Sequence, residues 1–314
     1  MNEIIFQGTE FASLKSKVAI VTGQYSISFD IQHQTNHTAH TLTSGGSSGI
    51  GLATTKFLLD HGAFVVNGDL NPGDLTHPSL TFHRTDVTSW PDLLRLFKQA
   101  KQTHSAINHV FANAGITSYA NYLATDLDEA GDLLEPTSKT LDINLKACIN
   151  TCTLAMHHMR QQSQGGSIVI TASASAYQPL CVADYTASKH GVLGFMRGMN
   201  SSLQASGIPI RINAIAPSWT ETGILPIHAL FTEVGGLVQP ASAVAPSVAL
   251  LMADSGRNGQ LIFSEKGRYW EVEETLLRPA YLKVRTEGAQ ALDETLRTVM
   301  LLAEERGGML RSSS

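Results

Sequence analysis

The sequence predicts a three-layer α/β/α protein in which helices cover both faces of a doubly wound parallel β-sheet. Short apolar runs alternate with longer helical patterns from Lys17 to Phe263, which is the order expected of successive β-α-β units. The short runs are rich in β-branched residues and alternate little, as strands buried on both faces do. A chain of 314 residues with 43% hydrophobic content can bury such a core.

Seven strands and five helices are predicted in this region. The strands are Val18–Thr22, Phe64–Gly68, Leu80–His83, His109–Ala112, Ser167–Thr171, Ile210–Ala214 and Gln260–Phe263. The helices are Ile50–His61, Pro91–Gln102, Thr137–Gln161, Ala183–Ala205 and Ala241–Ala253. Gly62 suits a helix end, and Ser89 followed by Pro91 suits a helix start.

The chain divides into an N-terminal segment of residues 1–16, one α/β domain of residues 17–263 and a C-terminal extension of residues 264–314. In the extension, a charged stretch precedes a helix-like segment, Ala289–Arg306. Apolar residues recur in that segment at helical spacing, which predicts packing on the body or on a partner subunit.

Composition excludes several classes of partner. The formal net charge of -5 argues against nucleic acid and anionic membranes, so a small-molecule partner is expected. No N-terminal apolar run resembles a signal peptide or a membrane span, and three cysteines are too few for a disulfide framework. A cytoplasmic location follows. Cys148 and Cys152 lie four residues apart without a second ligand pair, so packing is expected rather than a metal site.

A glycine-rich loop precedes the first helix. It reads Ser44-Gly45-Gly46-Ser47-Ser48-Gly49-Ile50-Gly51, and its glycines allow a tight turn and the approach of a pyrophosphate to the helix N-terminus. Asp69 follows the second strand, 18 residues after Gly51, where a carboxylate can bind an adenosine ribose. The same carboxylate repels a 2′-phosphate, so the pattern predicts NAD rather than NADP. Asp69 is alternatively an ordinary turn residue.

Two later strand ends extend the predicted nucleotide site. Asp86 and Val87 follow the third strand and can hold the adenine edge. Small residues after the fourth strand leave room for a ribose and a nicotinamide ring; they are Asn113, Ala114 and Gly115. Ligands of open parallel sheets bind beyond the carboxyl ends of the strands, which is where all these residues fall.

A tyrosine and a lysine supply candidate proton chemistry. Tyr185 and Lys189 are one helical turn apart in Tyr185-Thr-Ala-Ser-Lys189, and Ser173 stands 12 residues before the tyrosine at a strand end. A nearby ammonium lowers the pKa of a phenol, which is otherwise about 10. The alternative interpretation is a surface helix with an exposed lysine.

The order of these motifs resembles the single-domain short-chain dehydrogenase/reductase family over residues 17–263, and within it the hydroxyprostaglandin dehydrogenases and fungal secondary-metabolite enzymes. The resemblance implies a Rossmann-type fold and an NAD-dependent oxidoreductase that acts on CH–OH groups. A hydrophobic secondary alcohol and its ketone would be interconverted by hydride transfer. It also implies a homodimer or homotetramer paired through the two long helices.

The resemblance further implies roles for individual residues. Tyr185 would be the general acid/base, Lys189 would lower its pKa and hold the cofactor ribose, and Ser173 would bind the substrate oxygen. Asn144 would hold a water that links Lys189 to solvent, although a local helix kink also explains an Asn there. The expected NAD contacts are Gly23, Gly45, Ser47, Ser48, Gly49, Ile50, Asp69, Asp86, Val87, Asn113, Ala114, Gly115, Tyr185, Lys189, Pro217, Thr220 and Thr222.

Two departures from the family pattern affect these assignments. The spacing from Ser173 to Tyr185 is one residue shorter than is common, so Thr171 or Ser175 can compete as the hydroxyl donor; Ser173 is favoured. Ser218 stands where the family usually has Gly, which weakens the match of Thr222 to a carboxamide-binding residue. The apolar segment Glu221–Gln239, with Trp219, suits a hydrophobic substrate or ordinary packing.

An insertion of 22 residues, 24–45, separates the first strand from the glycine-rich loop. Deleting it restores the continuous family pattern. Either the insertion bulges outward and Ser44-Gly45 replaces Thr22-Gly23, or the loop frays and cofactor binding weakens. The second outcome leads to an alternative function, a catalytically impaired nucleotide-binding or scaffolding protein. Three histidines of the insertion lack a carboxylate pattern, so no metal site is expected.

Overall fold

A central sheet of eight strands organises the protein, here seen in a computed structural model. The structure describes residues 2–23, 26–27, 42–43, 46–222, 233, 235–283, 298–299 and 302. The strands are β1 Val18–Thr22, β2 Phe64–Asp69, β3 Leu80–Arg84, β4 His109–Ala112, β5 Gly166–Thr171, β6 Ile210–Pro217, β7 Leu261–Glu265 and β8 Arg268–Glu271. Their order across the sheet is β3-β2-β1-β4-β5-β6-β7-β8, parallel except for β8.

Helices cover both faces of this sheet. They are α1 Gly49–Asp60; α2 Trp90–His104; α3, which runs through Lys139–Leu141, a π-helical turn Asp142–Ala147 and Cys148–Met159; α4 Ala183–Ala205; α5 Ala245–Ala253; and α6 Arg278–Lys283. One buried cluster lies under α2, α3 and α4 and includes Phe97 and Met196. A second lies under α1 and α5 and includes Leu58 and Leu251. The predicted three-layer Rossmann-type fold is therefore confirmed.

The strand order reverses between β1 and β4, and this places the carboxyl ends of the central strands side by side. Thr22, the last residue of β1, is in register with Gly68 of β2 and with Ala112 of β4. The residues that follow these strands therefore face one crevice, the usual ligand position in an open α/β sheet.

The C-terminal extension differs from the sequence prediction, which ended the regular pattern at Phe263. The chain turns at Lys266 and Gly267, both with positive φ, and returns as β8, antiparallel to β7. The charged residues at both ends of this strand made it unrecognisable in the sequence. In the structure, Glu271 is buried and accepts hydrogen bonds from the amides of Glu273 and Glu274. The predicted helix Ala289–Arg306 lies largely outside the described residues.

The N-terminal segment packs against the same edge. The amide of Ile4 donates a hydrogen bond of 2.8 Å to the carbonyl oxygen of Tyr269, and Glu3 forms an ion pair with Arg268. The outer edge of β8 is thereby partly covered. Within the described ranges, the structure has no helix with the length and apolar character needed to cross a bilayer.

Candidate active site

The glycine-rich loop lies against the ends of β1 and β2. Gly46 is buried there, and an added Cβ would collide with Oδ1 of Asn67 and lie 3.2 Å from the carbonyl oxygen of Val21. Gly49 begins α1 with φ +50°, a conformation that side chains rarely adopt. The sequence folds into this turn because glycine occupies both the crowded and the left-handed positions.

The N-terminus of α1 has the properties of a phosphate site. Ser48 occupies the N-cap position without a side-chain capping bond. Its hydroxyl is buried and has no hydrogen-bond partner in the part of the chain that the structure describes. A hydroxyl and helix amides at a positive dipole end fit the pyrophosphate of a dinucleotide. Ser47 and Ile50, the other predicted contacts of this turn, are half-buried beside it.

Asp69 faces the glycine-rich loop. Its side chain is only 3% exposed, and one carboxylate oxygen accepts a hydrogen bond of 3.0 Å from the amide of Ser47. The other oxygen accepts one of 3.3 Å from the amide of Asn71. Burial raises the pKa of Asp69, although these amides partly oppose the rise. The carboxylate thus ties the turn after β2 to the glycine-rich loop, which agrees with the interpretation of Asp69 as a turn residue, while its binding of an adenosine ribose stays a prediction.

The insertion leaves and rejoins the fold at one place. The amide of Gly23 donates a hydrogen bond of 2.8 Å to the carbonyl oxygen of Gly68, so β1 ends in its normal position. Within the insertion, Ser26–Ile27 pairs antiparallel with Leu42–Thr43. Gly46 then packs beside Val21. The two ends are therefore neighbours, while Gly45 and most of the insertion lie outside the described residues.

The adenine and nicotinamide sides of the predicted site are well packed. The carboxylate of Asp86 accepts hydrogen bonds from the amide and hydroxyl of Thr88 at 2.9 and 2.6 Å, and Val87 is fully buried. Further along the crevice, the side-chain oxygen of Asn113 accepts a hydrogen bond of 3.0 Å from the hydroxyl of Thr171. Ala114, half-buried, joins it to the buried Gly115.

Ser173, Tyr185 and Lys189 come together beyond the carboxyl end of β5. The hydroxyl of Ser173 lies near enough to the phenol of Tyr185 to lower its pKa. The Nζ atom of Lys189 lies 5.6 Å from the centroid of the Tyr185 ring and donates a hydrogen bond of 2.7 Å to the carbonyl oxygen of Thr171. Of the two competing hydroxyls, that of Thr171 donates a hydrogen bond to Asn113. That of Ser175 is buried and has no hydrogen-bond partner among the described residues.

The pKa of Tyr185 differs from the sequence expectation. Burial raises the pKa of this phenol in the polypeptide, and the nearby hydroxyl of Ser173 opposes the rise only in part. Burial also lowers the pKa of Lys189 to about 8. In the polypeptide alone, desolvation of the phenol thus moves its pKa in the direction opposite to the lowering expected from Lys189.

Asn144 lies in the π-helical turn of α3. Its side-chain oxygen accepts a hydrogen bond of 2.8 Å from the amide of Ile116, and its Nδ2 donates to the carbonyl oxygen of Ile116 and to the hydroxyl of Ser188. An added Cβ at Gly115 would lie 3.4 Å from Oδ1 of Asn144 and 3.5 Å from Nζ of Lys189. The helix irregularity thus places Asn144 beside the lysine.

The loop after β6 is held by an amide that sequence reasoning missed. Gln239 is buried and donates hydrogen bonds to the carbonyl oxygen of Ser264 at 2.9 Å and to the hydroxyl of Thr220 at 3.3 Å. Thr220 in turn donates to the carbonyl oxygen of Ser218 at 2.8 Å. The hydroxyl of Thr220 is therefore engaged within the loop itself.

The remaining predicted contacts on this side lie close by. Pro217 ends β6, and Thr222, half-buried, is the last described residue before a gap. Residues 223–232 and 234, most of the predicted apolar lid, lie outside the described residues. Asp184 is a second residue that sequence reasoning missed; its only signal was an acidic side chain in the first turn of α4.

The cysteines behave as packing residues. Cys148 and Cys152 are buried in the core under α3, which confirms the prediction, and Cys181 is an exposed free thiol. Across the described ranges, no group of three or more His, Cys, Asp or Glu side chains is arranged to hold a metal ion.

Comparison with known proteins places this architecture in a family. The sequence profile described as short chain dehydrogenase matches residues 39–227. This match begins inside the insertion and leaves out β1. The chain is 45% identical over 307 residues to the short-chain dehydrogenase/reductase ascJ of Acremonium egyptiacum, covering 96% of each protein. It is 36% identical to ATR7 of Stachybotrys chlorohalonatus, covering 87% of this chain and 86% of that protein.

Solved structures agree on the fold. The crystal structure of gox2181 superposes with a TM-score of 0.62 at 22% identity, covering 82% of this chain and 98% of that one. A short-chain type dehydrogenase/reductase from Mycobacterium marinum gives a TM-score of 0.63 at 20% identity, with coverage of 82% and 97%.

The chain belongs to the short-chain dehydrogenase/reductase family. It is accordingly an oxidoreductase that acts on CH–OH groups, with a nicotinamide cofactor of the NAD or NADP type.

Proposed function

We propose that the protein is an NAD-dependent oxidoreductase that interconverts a hydrophobic secondary alcohol and its ketone, with Tyr185 as the general acid/base. The observation that carries the proposal is the position of Lys189 at the carboxyl end of β5. Its Nζ atom lies 5.6 Å from the centroid of the Tyr185 ring and is fixed to the carbonyl oxygen of Thr171, two residues before Ser173. The nearby hydroxyls of Ser173 and Tyr185 can bind one substrate oxygen between them.

The residues of the crevice fit a bound dinucleotide. Ser47, Ser48 and the first turn of α1 would hold its pyrophosphate, while Asp86 and Val87 would hold the adenine. Asn113 to Gly115 would lie along the nicotinamide half. When bound, the nicotinamide ring supplies the hydride acceptor for alcohol oxidation and the hydride donor for ketone reduction.

The chain's own residues would handle the proton. Tyr185 would accept the substrate hydroxyl proton, and Ser173 would donate a hydrogen bond to the same oxygen and stabilise its developing charge. Lys189, held by the carbonyl oxygen of Thr171, would support the phenolate and the cofactor ribose. Asn144 would hold a water that passes protons between Lys189 and solvent.

Asp69 supports NAD rather than NADP as the cofactor. A buried carboxylate that already accepts an amide from the phosphate loop places negative charge where the 2′-position of the adenosine ribose would lie. A 2′-phosphate there would be repelled and would lose hydration on burial.

A hydrophobic substrate and a role in secondary metabolism are proposed from the surroundings of the site. Trp219 is 39% exposed next to the start of the apolar lid segment. Two fungal relatives carry the same general name, short-chain dehydrogenase/reductase. The exposed thiol of Cys181 suits a reducing cytoplasm, and the homodimer or homotetramer remains a proposal.

One observation favours a second candidate, a nucleotide-binding or scaffolding protein with impaired catalysis. The insertion ends directly before Gly46 of the glycine-rich loop, which is proposed to bind the pyrophosphate of the cofactor. The arrangement of Asn144, Ser173, Tyr185 and Lys189 favours catalysis instead, since simple binding does not require these four groups together.

Turnover measurements distinguish the two functions. NADH absorbance is followed with a panel of secondary alcohols of increasing apolar length, for the unchanged protein, for Tyr185→Phe and for Tyr281→Phe as a control that removes an exposed phenol on α6. The oxidoreductase proposal expects turnover that Tyr185→Phe lowers by at least about 100-fold. Saturable NAD binding without turnover in any of the three proteins supports the binding protein.

A further inference from the structure

Asp184 joins the catalytic helix to the loop after β4. It is the second residue of α4, directly before Tyr185, and it is 2% exposed. Its carboxylate accepts hydrogen bonds from the amides of Tyr119 and Ala120 at 3.1 and 3.2 Å, and a short one from the hydroxyl of Ser118. It also accepts the amide of Tyr185 at 2.8 Å. The hydrogen bonds of this one buried carboxylate thus join the first turn of α4 to residues 118–120.

A third segment reaches the same carboxylate. The hydroxyl of Thr140, in α3, donates a hydrogen bond of 3.3 Å to the carbonyl oxygen of Thr117 and lies near enough to Asp184 to lower its pKa. Burial raises the pKa of Asp184, but the hydrogen bonds from Ser118 and the loop amides, together with the nearby hydroxyl of Thr140, outweigh it, and the pKa lies below its ordinary value. The group is therefore an ionised, well-satisfied anchor at neutral pH.

The anchored loop continues from residues 113–115, which are proposed to lie along the nicotinamide half of the cofactor and are called here the nicotinamide shelf. Asn113 to Gly115 lead into Ile116, whose backbone is held on both sides by Asn144. The next residues, 118–120, are held by Asp184. Two buried side chains thus fasten successive parts of one loop, and the second of them belongs to the helix that carries Tyr185.

We propose that Asp184 is a positioning residue, which sets the distance between the phenol of Tyr185 and the nicotinamide shelf by tying the first turn of α4 to residues 118–120. The inference rests on the proposed function. Proton and hydride transfer require reacting atoms about 3–3.5 Å apart, and a displacement of about 1 Å can cost about 100-fold in rate. The hydrogen bonds of Asp184 oppose such a displacement.

Three variants test this role. Asp184→Ala removes all the acceptors, and Asp184→Asn keeps the size and one acceptor oxygen. Asp254→Asn is the matched control, since Asp254 also accepts a backbone amide, that of Gly256, but lies beyond α5, near Arg257. We measure kcat, the dissociation constant of NAD, and amide hydrogen exchange.

The expected result separates positioning from binding. Asp184→Ala lowers kcat about 10- to 100-fold and Asp184→Asn lowers it less, while NAD affinity stays within about threefold in both. The amides of Tyr119 and Ala120 exchange faster in both variants. Asp254→Asn retains the kcat and the exchange pattern of the unchanged protein.

Other results overturn the inference. A kcat within threefold of the unchanged protein, or a loss of kcat matched by an equal loss of NAD affinity, contradicts it. If Asp184→Ala does not fold, Asp184→Asn decides by the same criteria. If the unchanged protein shows no turnover, the proposed function fails, and unchanged amide exchange at residues 119 and 120 in the variants then overturns the anchoring role separately.

Discussion

The ammonium of Lys189 donates a hydrogen bond of 2.7 Å to the carbonyl oxygen of Thr171, the last residue of β5. This bond fixes the lysine to the strand that leads into Ser173, so the helix carrying Tyr185 and the turn carrying Ser173 share one anchor. The same position buries the ammonium, and this burial lowers the pKa of Lys189 to about 8.

Lys189→Met should change the pH dependence of stability. The folded pKa of about 8 lies below the unfolded value of 10.5, so the folded state binds fewer protons between these pH values. The destabilisation of the folded state by the buried charge of Lys189 is therefore fully present below pH 8, and it is lost as the pH rises toward 10.5. Between pH 7 and 9.5 the unchanged protein should therefore gain about 2 kcal/mol of unfolding free energy relative to Lys189→Met.

Urea unfolding at a series of pH values measures this difference. Lys283→Met, which removes an exposed lysine of α6, is the control and should run parallel to the unchanged protein. Parallel profiles for Lys189→Met as well would show that the lysine carries no burial penalty.

Asp69→Asn should shift cofactor preference toward NADP. The amide keeps an oxygen for the amide of Ser47 but removes the negative charge. We expect the ratio of the NADP to the NAD dissociation constant to fall about tenfold or more, equivalent to about 1.4 kcal/mol. Calorimetric titration with both cofactors measures it, and Asp74→Asn, an exposed carboxylate in the same connection, is the control. NADP binding as tightly as NAD to the unchanged protein contradicts the assignment.

Gly46→Ala should weaken NAD binding because the new methyl collides with Asn67 and approaches the carbonyl oxygen of Val21. The loop or the Asn67 side chain must then move by about 1 Å or more, and we expect at least a tenfold loss of affinity. Gly194→Ala is the matched control, since an added Cβ there meets open space on α4. Equal NAD affinity in the two variants would place the pyrophosphate elsewhere.

Deleting residues 24–45 should leave NAD affinity within about threefold of the full chain. The ends of the insertion already meet beside β1, through Gly23 at the carbonyl oxygen of Gly68 and Gly46 at Val21. Closing a loop of this length adds little free energy to that geometry. A large gain in affinity on deletion would show that the insertion impairs binding, and a loss would show that it contributes ligands.

Much of the fold could be predicted because its strands are continuous β-branched runs with clear punctuation. Val18–Thr22 and His109–Ala112 were predicted at their observed bounds. The strand Arg268–Glu271 could not be recognised, since its two adjacent aromatic residues are flanked by charged residues. One of these, Glu271, is buried and accepts a hydrogen bond from the amide of Glu273.

The candidate site likewise has features that could be predicted from the sequence and features that could not. Tyr185 and Lys189 could be paired from helical spacing alone, because that relation is local. The π-helical turn at Asn144 and the anchoring by Asp184 depend on contacts with a loop more than 20 residues away in sequence, at Ile116 and at Tyr119. The raised pKa of Tyr185 likewise reflects burial, which spacing does not reveal.

Ionisation of Tyr185 decides whether this phenol can act as the general base. Ultraviolet difference titration of the phenol, taken as the unchanged protein minus Tyr185→Phe, is recorded with and without saturating NAD. We expect a pKa above 10 for the polypeptide alone and a fall below 10 with NAD, because the oxidised nicotinamide ring would add positive charge near the phenol. A pKa that stays above 10 with NAD bound would contradict Tyr185 as the general base.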